Sequence, residues 1–379
     1  MTSLYLHIPF CLGKCHYCSF SSCAGGEKLY APYAAALTDE LTALAEKTAA
    51  GNHSPGLRTL FVGGGTPTCL PPDLLQGVIR SALELFGVQP GGEISVEANP
   101  GTVDSRYLEV LLEAGVNRLS LGVQSFDDRE LELIGRIHDE KGACSAIKAA
   151  GTAGFANINL DLMYGLPGQT PLSWRRSLEK GLSFRPEHLS LYQLTIEPDT
   201  PFFSFLENNT LHLPDEDEII EMDEITGQLC SSAGLNQYEI SNYAVEGYQC
   251  RHNINYWLNN DYLAAGASAV SCLQGVRERR VADPEEYIYR IRRNKSVVIE
   301  SECLSGEASF RETVIMGLRL VQGVSRKTLS ARYSLELQEY YGSILEKLIA
   351  SGLLELTDTR LRISEKGWPL ANRIMAELV

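Results

Sequence analysis

The sequence lacks the features of an exported or membrane-spanning chain. It starts MTSLYLHIPFC, without a basic segment followed by a sustained apolar stretch, and no apolar run approaches the ~18 residues that span a membrane. It also lacks low-complexity tracts and internal repeats. With 44% hydrophobic and 21% charged residues, its composition is that of a folded globular protein. We therefore expect a cytoplasmic protein.

Positive charge is scarce as well. The chain has 33 Lys and Arg against 48 Asp and Glu, a formal net charge of −15, whereas a nucleic-acid binder needs concentrated cations to neutralise phosphates. We therefore predict no nucleic-acid partner. One basic cluster departs from this balance, and we interpret it as solvated faces, with contact to an anionic ligand or partner as the alternative. It comprises Arg277, Arg279, Arg280, Arg290, Arg292, Arg293 and Lys295.

The sequence also lacks a disulfide framework of the secreted type and the CxxCH motif of covalent heme attachment. Its ten cysteines lie in a long chain without an export signal, so we predict reduced thiols. Four of them cluster at positions 11, 15, 18 and 23. Those at positions 69, 144, 230, 272 and 303 are scattered, and we interpret most of them as small buried apolar residues.

Six short apolar runs between residues 4 and 198 each lead into glycine, proline or polar residues and then into a stretch of helical periodicity. This alternation predicts successive strand–helix units and a parallel sheet. Such a sheet either curls into a barrel or stays open and doubly wound, and ligands lie at the carboxyl ends of its strands in both. Residues capable of chemistry follow the six strands: Cys11, 63–66, Glu97, Asn99, Gln124, Asp161 and Glu197.

The rest of the chain predicts a second domain. A length of 379 residues exceeds the roughly 100–200 of an ordinary domain, and the regular alternation ends before an acidic helix that opens at Pro214. We place a boundary near Glu300. Beyond it the pattern predicts helices over 310–320, Arg326–Tyr333 and 337–351, followed by two short strands, an order typical of winged-helix modules. That order by itself assigns no function.

The motif Cys11-x3-Cys15-x2-Cys18 supplies three thiolates from a tight loop after the first strand. Three is informative, because a structural zinc site and a simple electron-transfer cluster are usually closed by four ligands. Three thiolates on a cage of four irons leave one iron free to bind a small molecule. The alternatives are zinc with His16 or Cys23 as fourth ligand, or thiols without a metal.

The segment YLHIPFCLGKCHYCSF resembles the start of radical S-adenosylmethionine (SAM) proteins, and specifically the group around coproporphyrinogen III dehydrogenase (HemN). The resemblance covers essentially the whole chain. It implies a parallel (β/α)6 partial TIM barrel over residues 1–240, a connecting region over 241–300 and a mainly helical, winged-helix-like HemN-type domain over 301–379. It also implies that Cys11, Cys15 and Cys18 hold a [4Fe-4S] cluster whose free iron binds the amino and carboxylate groups of SAM.

Further motifs match SAM contacts of that group. The glycine-rich segment GGGTPT approaches the methionine end of SAM, and missing side chains let backbone groups come close. Carboxylates suit ribose hydroxyls, and an arginine fork suits a carboxylate. Each residue taken singly could instead be a helix cap or a satisfied strand-end group. The residues implied for SAM are Tyr5, Tyr17, Gly64, Gly65, Thr66, Glu97, Gln124, Arg136 and Asp161.

Two features distinguish branches of the group. The dehydrogenase carries a further cysteine two positions beyond the last cluster ligand, where this chain has Phe20. In addition, RHNINYW contains HNxxYW, which resembles the signature of the heme chaperone branch, HemW. That resemblance implies heme contacts from His252, Asn253, Tyr256 and Trp257, with His252 as axial ligand of the heme iron and Cys250 as an alternative thiolate. The residues alone also allow His252 and Asn253 to bond to backbone while the two aromatic rings fill core.

The resemblance implies a heme chaperone that binds a [4Fe-4S] cluster, SAM and heme and transfers heme to acceptor hemoproteins, respiratory ones among them. The alternative is a radical SAM oxidoreductase similar to the oxygen-independent coproporphyrinogen III dehydrogenase, in which SAM yields a 5′-deoxyadenosyl radical and a reductant such as flavodoxin or ferredoxin supplies electrons. A porphyrin-binding methyltransferase is a third option. Whether the protein is an enzyme, forms a homodimer or contacts membranes transiently stays open at this point.

Overall fold

The computed structural model describes residues 2–50 and 56–379. Its strands are β1 Thr2–Ile8, β2 Phe10–Cys11, β3 Cys23–Ala24, β4 Leu57–Gly64, β5 Val88–Ala98, β6 Arg118–Gln124, β7 Ile158–Tyr164, β8 His188–Gln193, β9 Asn236–Gln237, β10 Asn242–Ala244, β11 Tyr262–Ala265, β12 Val270–Leu273, β13 Val276–Arg280, β14 Val298–Cys303, β15 Val324–Ser325, β16 Leu354–Leu356 and β17 Arg360–Ile363. Its α-helices are α1 Glu27–Ala50, α2 Pro72–Phe86, α3 Ser105–Glu113, α4 Asp128–Leu133, α5 Glu140–Ala153, α6 Pro171–Ser183, α7 Pro201–Glu207, α8 Glu216–Ser232, α9 Arg251–Trp257, α10 Pro284–Arg292, α11 Gly306–Leu318, α12 Arg326–Tyr333, α13 Leu337–Tyr341, α14 Ser343–Ala350 and α15 Ala371–Ala376. Within the described residues, none of the helices combines the length and the apolar character that a membrane crossing requires.

The six predicted strands are confirmed and form the centre of one sheet. Strands β1, β4, β5, β6, β7 and β8 are neighbours in this order, and each pairs with the next in parallel. Strand β11 continues the sheet beside β1, and β10 continues it beside β8. Side chains from all six central strands line a single cavity, so the sheet curves around it. This curved sheet, in which β1 and β8 do not pair with each other, confirms the partial barrel over the flat alternative.

Burial explains why these segments adopt these elements. Every residue of β6 is buried, as expected for a parallel strand covered on both faces. Helix α2 begins at Pro72, whose fixed φ suits a first helical turn, and it buries Leu75, Ile79 and Phe86 on one face. It ends before Gly87, which has a φ of 64°. The helices therefore cover the outer side of the sheet and leave its carboxyl end accessible.

The C-terminal region has its own apolar core. Buried residues from Phe310 to Leu378 form this second cluster, separate from the barrel core. The predicted wing is confirmed as the antiparallel pair β16–β17, which β15 extends. The single helix predicted over 337–351 is wrong, because Gly342 with a φ of 49° separates α13 from α14. The domain limits at residues 240 and 300 stay predictions, and β11 to β14 extend the barrel sheet from the predicted connecting region.

One member of the basic cluster is not solvated. Arg280 is 3% exposed and donates through Nε to the carboxylate of Glu40, so its prediction as a surface residue is wrong. Glu40 also accepts hydrogen bonds from the Tyr287 hydroxyl at 2.7 Å and from the backbone N–H of Gly266 at 2.8 Å. This network joins α1 to α10 and to the chain after β11. It therefore ties α1 and α10 to the end of β11, the strand that pairs with β1.

Replacing Glu40 by alanine is expected to lower the free energy of unfolding by about 3–5 kcal/mol, because it leaves Arg280 buried without a counter-charge. Urea unfolding followed by circular dichroism measures this. The matched control is Glu300→Ala, which removes the exposed partner of Arg279, 3.5 Å away. That change is expected to cost less than about 1 kcal/mol. Equal effects of the two substitutions would contradict the structural role of Glu40.

Candidate functional site

A cavity of about 600 Å³ lies at the carboxyl ends of the barrel strands. It brings together nearly all the residues predicted for the cluster, SAM and heme. Trp257 and Cys250, the alternative heme ligand, do not line it. The predicted residues that do are Tyr5, Cys11, Cys15, Tyr17, Cys18, Gly64, Gly65, Thr66, Glu97, Gln124, Arg136, Asp161, His252, Asn253 and Tyr256.

The three cysteines of the loop face this cavity, and two of them accept hydrogen bonds. The Thr66 hydroxyl donates to Cys11 Sγ at 3.6 Å, and Arg136 Nη1 donates to Cys15 Sγ at 3.4 Å. Such bonds to sulfur stabilise thiolates and tune an iron–sulfur cluster. Burial raises the pKa of the Cys18 thiol, and a bound metal would stabilise its thiolate. These donor groups fit a cluster held by three cysteines.

The two residues considered as a fourth zinc ligand, His16 and Cys23, are hydrogen bonded to backbone carbonyl groups. His16 hydrogen bonds through Nδ1 to the backbone carbonyl of Leu133 at 2.9 Å. Cys23 donates to the carbonyl of Pro9 at 3.5 Å. Among the described residues, no three His, Cys, Asp or Glu side chains converge where a single metal ion could sit, whereas a cluster takes its thiolates at separate corners of the cage.

The glycine-rich segment at the end of β4 allows a close approach to the loop and to a carboxylate. A Cβ atom on Gly65 would lie 2.7 Å from the Phe10 carbonyl oxygen and 2.9 Å from Cys11 Sγ. A Cβ atom on Gly63 would lie 2.8 Å from the Glu97 carboxylate. The backbone N–H of Gly64 donates to that carboxylate at 3.3 Å. Glycine at these positions therefore lets the backbone lie close to Cys11 and Glu97.

Arg136 connects the loop to the polar wall of the cavity. Its guanidinium also donates to the Asn99 side chain and to the backbone carbonyl of Gly122, while its Nε is buried without a partner among the described residues. Gln124, at the end of β6, has a φ of 70°, an uncommon conformation for a residue with a side chain and one found at binding sites. The orphaned donor fits a bound carboxylate.

Glu97 and Asp161 face the same enclosed space. Burial, followed by the charge of Asp161, raises the pKa of Glu97 to about 8. Burial also raises the pKa of Asp161, against hydrogen bonds from Ser190, Asn159 and Ser120 that lower it. Glu97 is therefore mostly protonated at neutral pH in the unliganded protein. A ligand that offers hydroxyl donors or positive charge would favour its ionised form.

This raised pKa predicts a pH-dependent stability. Between the unfolded pKa of about 4.5 and the folded pKa of about 8, the folded protein binds the extra proton, so Glu97 lowers stability as pH rises through that window. The thermal midpoint of Glu97→Gln is therefore expected to fall less than that of the wild type between pH 5 and pH 8. Glu365→Gln, at an exposed site, serves as control and should follow the wild type. Parallel curves for all three proteins would contradict the assignment.

Asp161 is held by a buried chain of hydrogen bonds that the motifs did not predict. Asn159 Nδ2 donates to the Asp161 carboxylate at 2.7 Å, and its amide oxygen lies 2.6 Å from His188 Nδ1. Because an amide oxygen only accepts, His188 carries its proton on Nδ1, and its Nε2 accepts from the Tyr238 hydroxyl at 2.8 Å. The backbone N–H of Cys250 donates to that hydroxyl at 3.2 Å. The sequence feature that could have revealed this chain is the presence of polar residues at alternate positions of the apolar strands β7 and β8.

The HNxxYW helix, α9, lines the cavity with His252, Asn253 and Tyr256. His252 is 1% exposed, and its Nδ1 pairs with the Thr59 hydroxyl at 2.8 Å while its Nε2 pairs with the Tyr256 hydroxyl at 2.9 Å. Burial lowers the pKa of His252 to about 3, so the imidazole is neutral and chemically able to bind a metal. The Glu93 carboxylate fixes the start of the helix by accepting the backbone N–H groups of Arg251 at 2.8 Å and His252 at 3.1 Å.

Two residues at the ends of this helix, Cys250 before it and Trp257 as its last residue, point elsewhere. Trp257 packs under the guanidinium of Arg319, 4.4 Å from its ring centre, at the contact with the C-terminal region. Cys250 is buried and donates to the Glu93 carboxylate at 3.6 Å. Burial, with the charge of Glu93, raises the pKa of Cys250 to about 12, so it is a neutral thiol in this structure. Neither residue lines the cavity.

Comparisons with known proteins agree with this geometry. The family model described as Radical SAM superfamily matches residues 5–180, and the model described as HemN C-terminal domain matches residues 304–370. The chain is 36% identical to the heme chaperone HemW of Bacillus subtilis, over 99% of this chain and 98% of that protein. It is 32% identical to the heme chaperone HemW of Lactococcus lactis, over 100% and 97%.

A third relative and a solved structure extend the comparison. The heme chaperone HemW of Escherichia coli is 41% identical over 70% of this chain and 69% of its own. The fold is similar to that of coproporphyrinogen III oxidase, HemN, from Escherichia coli, with a TM-score of 0.86 at 23% identity over 100% of this chain and 89% of that one. This second likeness concerns the fold alone. Membership of the superfamily implies a [4Fe-4S] cluster and SAM. The chain belongs to the HemW family within the radical SAM superfamily.

Proposed function

We propose that this protein binds heme and transfers it to acceptor hemoproteins, with a [4Fe-4S] cluster and SAM as its own cofactors. The observation that carries this proposal is the position of α9: the imidazole of His252 faces the same cavity as the cluster cysteines. Phe20, at the position where the dehydrogenase has a cysteine, is 68% exposed beside the cavity. The relatives named as heme chaperones add support from sequence.

In this proposal the loop and strand ends hold the two cofactors. Cys11, Cys15 and Cys18 bind three irons of the cluster, and the bound cluster and SAM supply one-electron chemistry. Arg136 binds the SAM carboxylate with its unpaired Nε. Gln124 and the segment Gly64, Gly65 and Thr66 contact the methionine portion. Glu97 and Asp161 accept hydrogen bonds from the ribose hydroxyls, and Tyr5 and Tyr17 contact the region of the cluster and the adenine.

His252 is the proposed axial ligand of heme iron. Nε2 becomes accessible to the iron when the Tyr256 hydroxyl turns away, while Thr59 continues to pair with Nδ1 and orients the ring. Tyr256 and Asn253 then border the porphyrin from the same helix. Trp257 contributes by anchoring α9 to the C-terminal region through Arg319. Heme binding would therefore replace the hydrogen bond between His252 Nε2 and the Tyr256 hydroxyl by a bond between Nε2 and the iron. The imidazole is already neutral before this exchange.

A radical SAM oxidoreductase acting on a porphyrinogen is the second candidate. The observation that favours it is the complete set of cluster and SAM residues in one enclosed cavity. Such a reaction requires an electron donor such as flavodoxin or ferredoxin, whereas storage and delivery of heme does not. Cytoplasmic location, transient contact with membranes near respiratory acceptors and homodimer formation remain predictions.

The deciding experiment is an anaerobic titration of the cluster-reconstituted protein with heme, followed by its Soret absorption, with parallel assays for 5′-deoxyadenosine and protoporphyrinogen. We expect a saturable Soret band, transfer of heme to an apo-hemoprotein, and no protoporphyrinogen. Failure to take up heme, together with protoporphyrinogen formation in the presence of SAM and reductant, would overturn the proposal in favour of the oxidoreductase.

A further inference from the structure

The residues implied for SAM and those implied for heme share one wall of the barrel interior. Tyr5 on β1 and Phe61 on β4 are register partners, and both rings border the His252 ring, with centres 6.4 Å and 5.1 Å away. His252, Tyr5 and Glu97 line the same cavity. The charge of Glu97 is also among the causes that raise the pKa of Tyr5 and of Tyr256. The two sets of side chains are therefore direct neighbours.

The approach to His252 is confined to the cavity side. Thr59 occupies Nδ1, and the Phe61 ring stacks on the imidazole with an interplanar angle of 29°. Nε2 faces the hydroxyl of Tyr256, a residue that lines the cavity. Since only 1% of His252 is exposed, an iron atom that binds Nε2 must bring its porphyrin into the cavity, over Tyr5, Tyr256 and Glu97.

The cavity has the size that is typical of a site for a single ligand. Its volume is about 600 Å³, within the roughly 300–1,000 Å³ that encloses a single drug-sized molecule. SAM and heme are both molecules of that class. From this geometry we propose that heme bound through His252 and SAM bound at Glu97 and Asp161 occupy overlapping space, so that each ligand excludes the other. This inference rests on the proposed function and adds its regulation: SAM binding drives heme out of the cavity, and SAM departure admits it.

The test uses the full-length, cluster-reconstituted protein without reductant, so that SAM stays intact. Heme is titrated by Soret absorption at several SAM concentrations, and retention of radiolabelled SAM is measured by equilibrium dialysis at increasing heme. With SAM at ten times its own Kd, competition predicts a rise of about tenfold in the apparent Kd for heme. By linkage, heme must displace SAM to the same extent.

Asp161→Asn supplies an internal check that does not depend on activity. It weakens the SAM contact, so the SAM concentration that displaces half of the heme is expected to rise by the same factor as the Kd for SAM measured by dialysis. The inference is overturned if saturating SAM leaves the Kd for heme unchanged, or if heme-saturated protein retains one SAM per chain. Heme binding that occurs only in the presence of SAM also overturns the inference. Absence of heme binding both with and without SAM is a different result, because it overturns the proposed function itself.

Discussion

Cys15→Ala protein is expected to lose its iron–sulfur cluster. Anaerobic reconstitution of the wild type should give about four irons and four sulfides per chain with broad absorption in the visible range, whereas the variant should bind almost none. Two thiolates cannot hold the cage, and the Arg136 guanidinium that donates to Cys15 Sγ at 3.4 Å loses its acceptor. Iron and sulfide analysis with absorption spectroscopy measures this. Cys11→Ala and Cys18→Ala should behave alike.

Cys69→Ala is the matched control for these variants. Cys69 lies close enough to the same loop for the charge of Cys11, after burial, to contribute to raising its pKa to about 12. It does not line the cavity. Its substitution should leave cluster content unchanged. The cluster assignment fails if Cys15→Ala retains full iron content, or if the wild type purifies with one zinc ion per chain and resists reconstitution.

Replacement of His252 by alanine is expected to have the second largest effect, a loss of heme affinity of at least about tenfold. The physical reason is the loss of the one neutral imidazole that faces the cavity from α9. Soret titration measures the affinity, and added imidazole should restore much of the absorption by occupying the space of the missing ring. Thermal unfolding must accompany the titration, because His252 is buried and also bonds to Thr59.

Tyr256→Phe separates ligation from packing. It keeps the aromatic ring but removes the hydroxyl that pairs with Nε2 at 2.9 Å, so that heme no longer has to displace this hydroxyl from Nε2. Ligation by His252 therefore predicts equal or tighter heme binding by Tyr256→Phe together with weak binding by His252→Ala. If both variants bind heme as the wild type does, another residue ligates the iron.

Motif spacing and periodicity sufficed for much of the fold and of the site. The six strands were predictable because parallel strands buried on both faces read as short apolar runs, and their polar ends converge at one edge of the sheet. The sequence alone therefore sufficed to place five residues in one site, namely residues 11, 15, 18, 97 and 161. The winged-helix-like order of the C-terminal region was predictable from the spacing of its apolar residues and its turn residues, apart from the interruption at Gly342.

Only the tertiary structure decided which partners these residues have, because those contacts join distant parts of the chain. Thr59 and His252, 193 positions apart, meet across β4 and α9, and Arg280 meets Glu40 across 240 positions. Likewise, Trp257 turns to Arg319, although it follows Tyr256 directly. Periodicity reports which face of an element is apolar and which end carries chemistry. It cannot report how two elements pack, and that packing is what places His252 in the same cavity as the SAM residues.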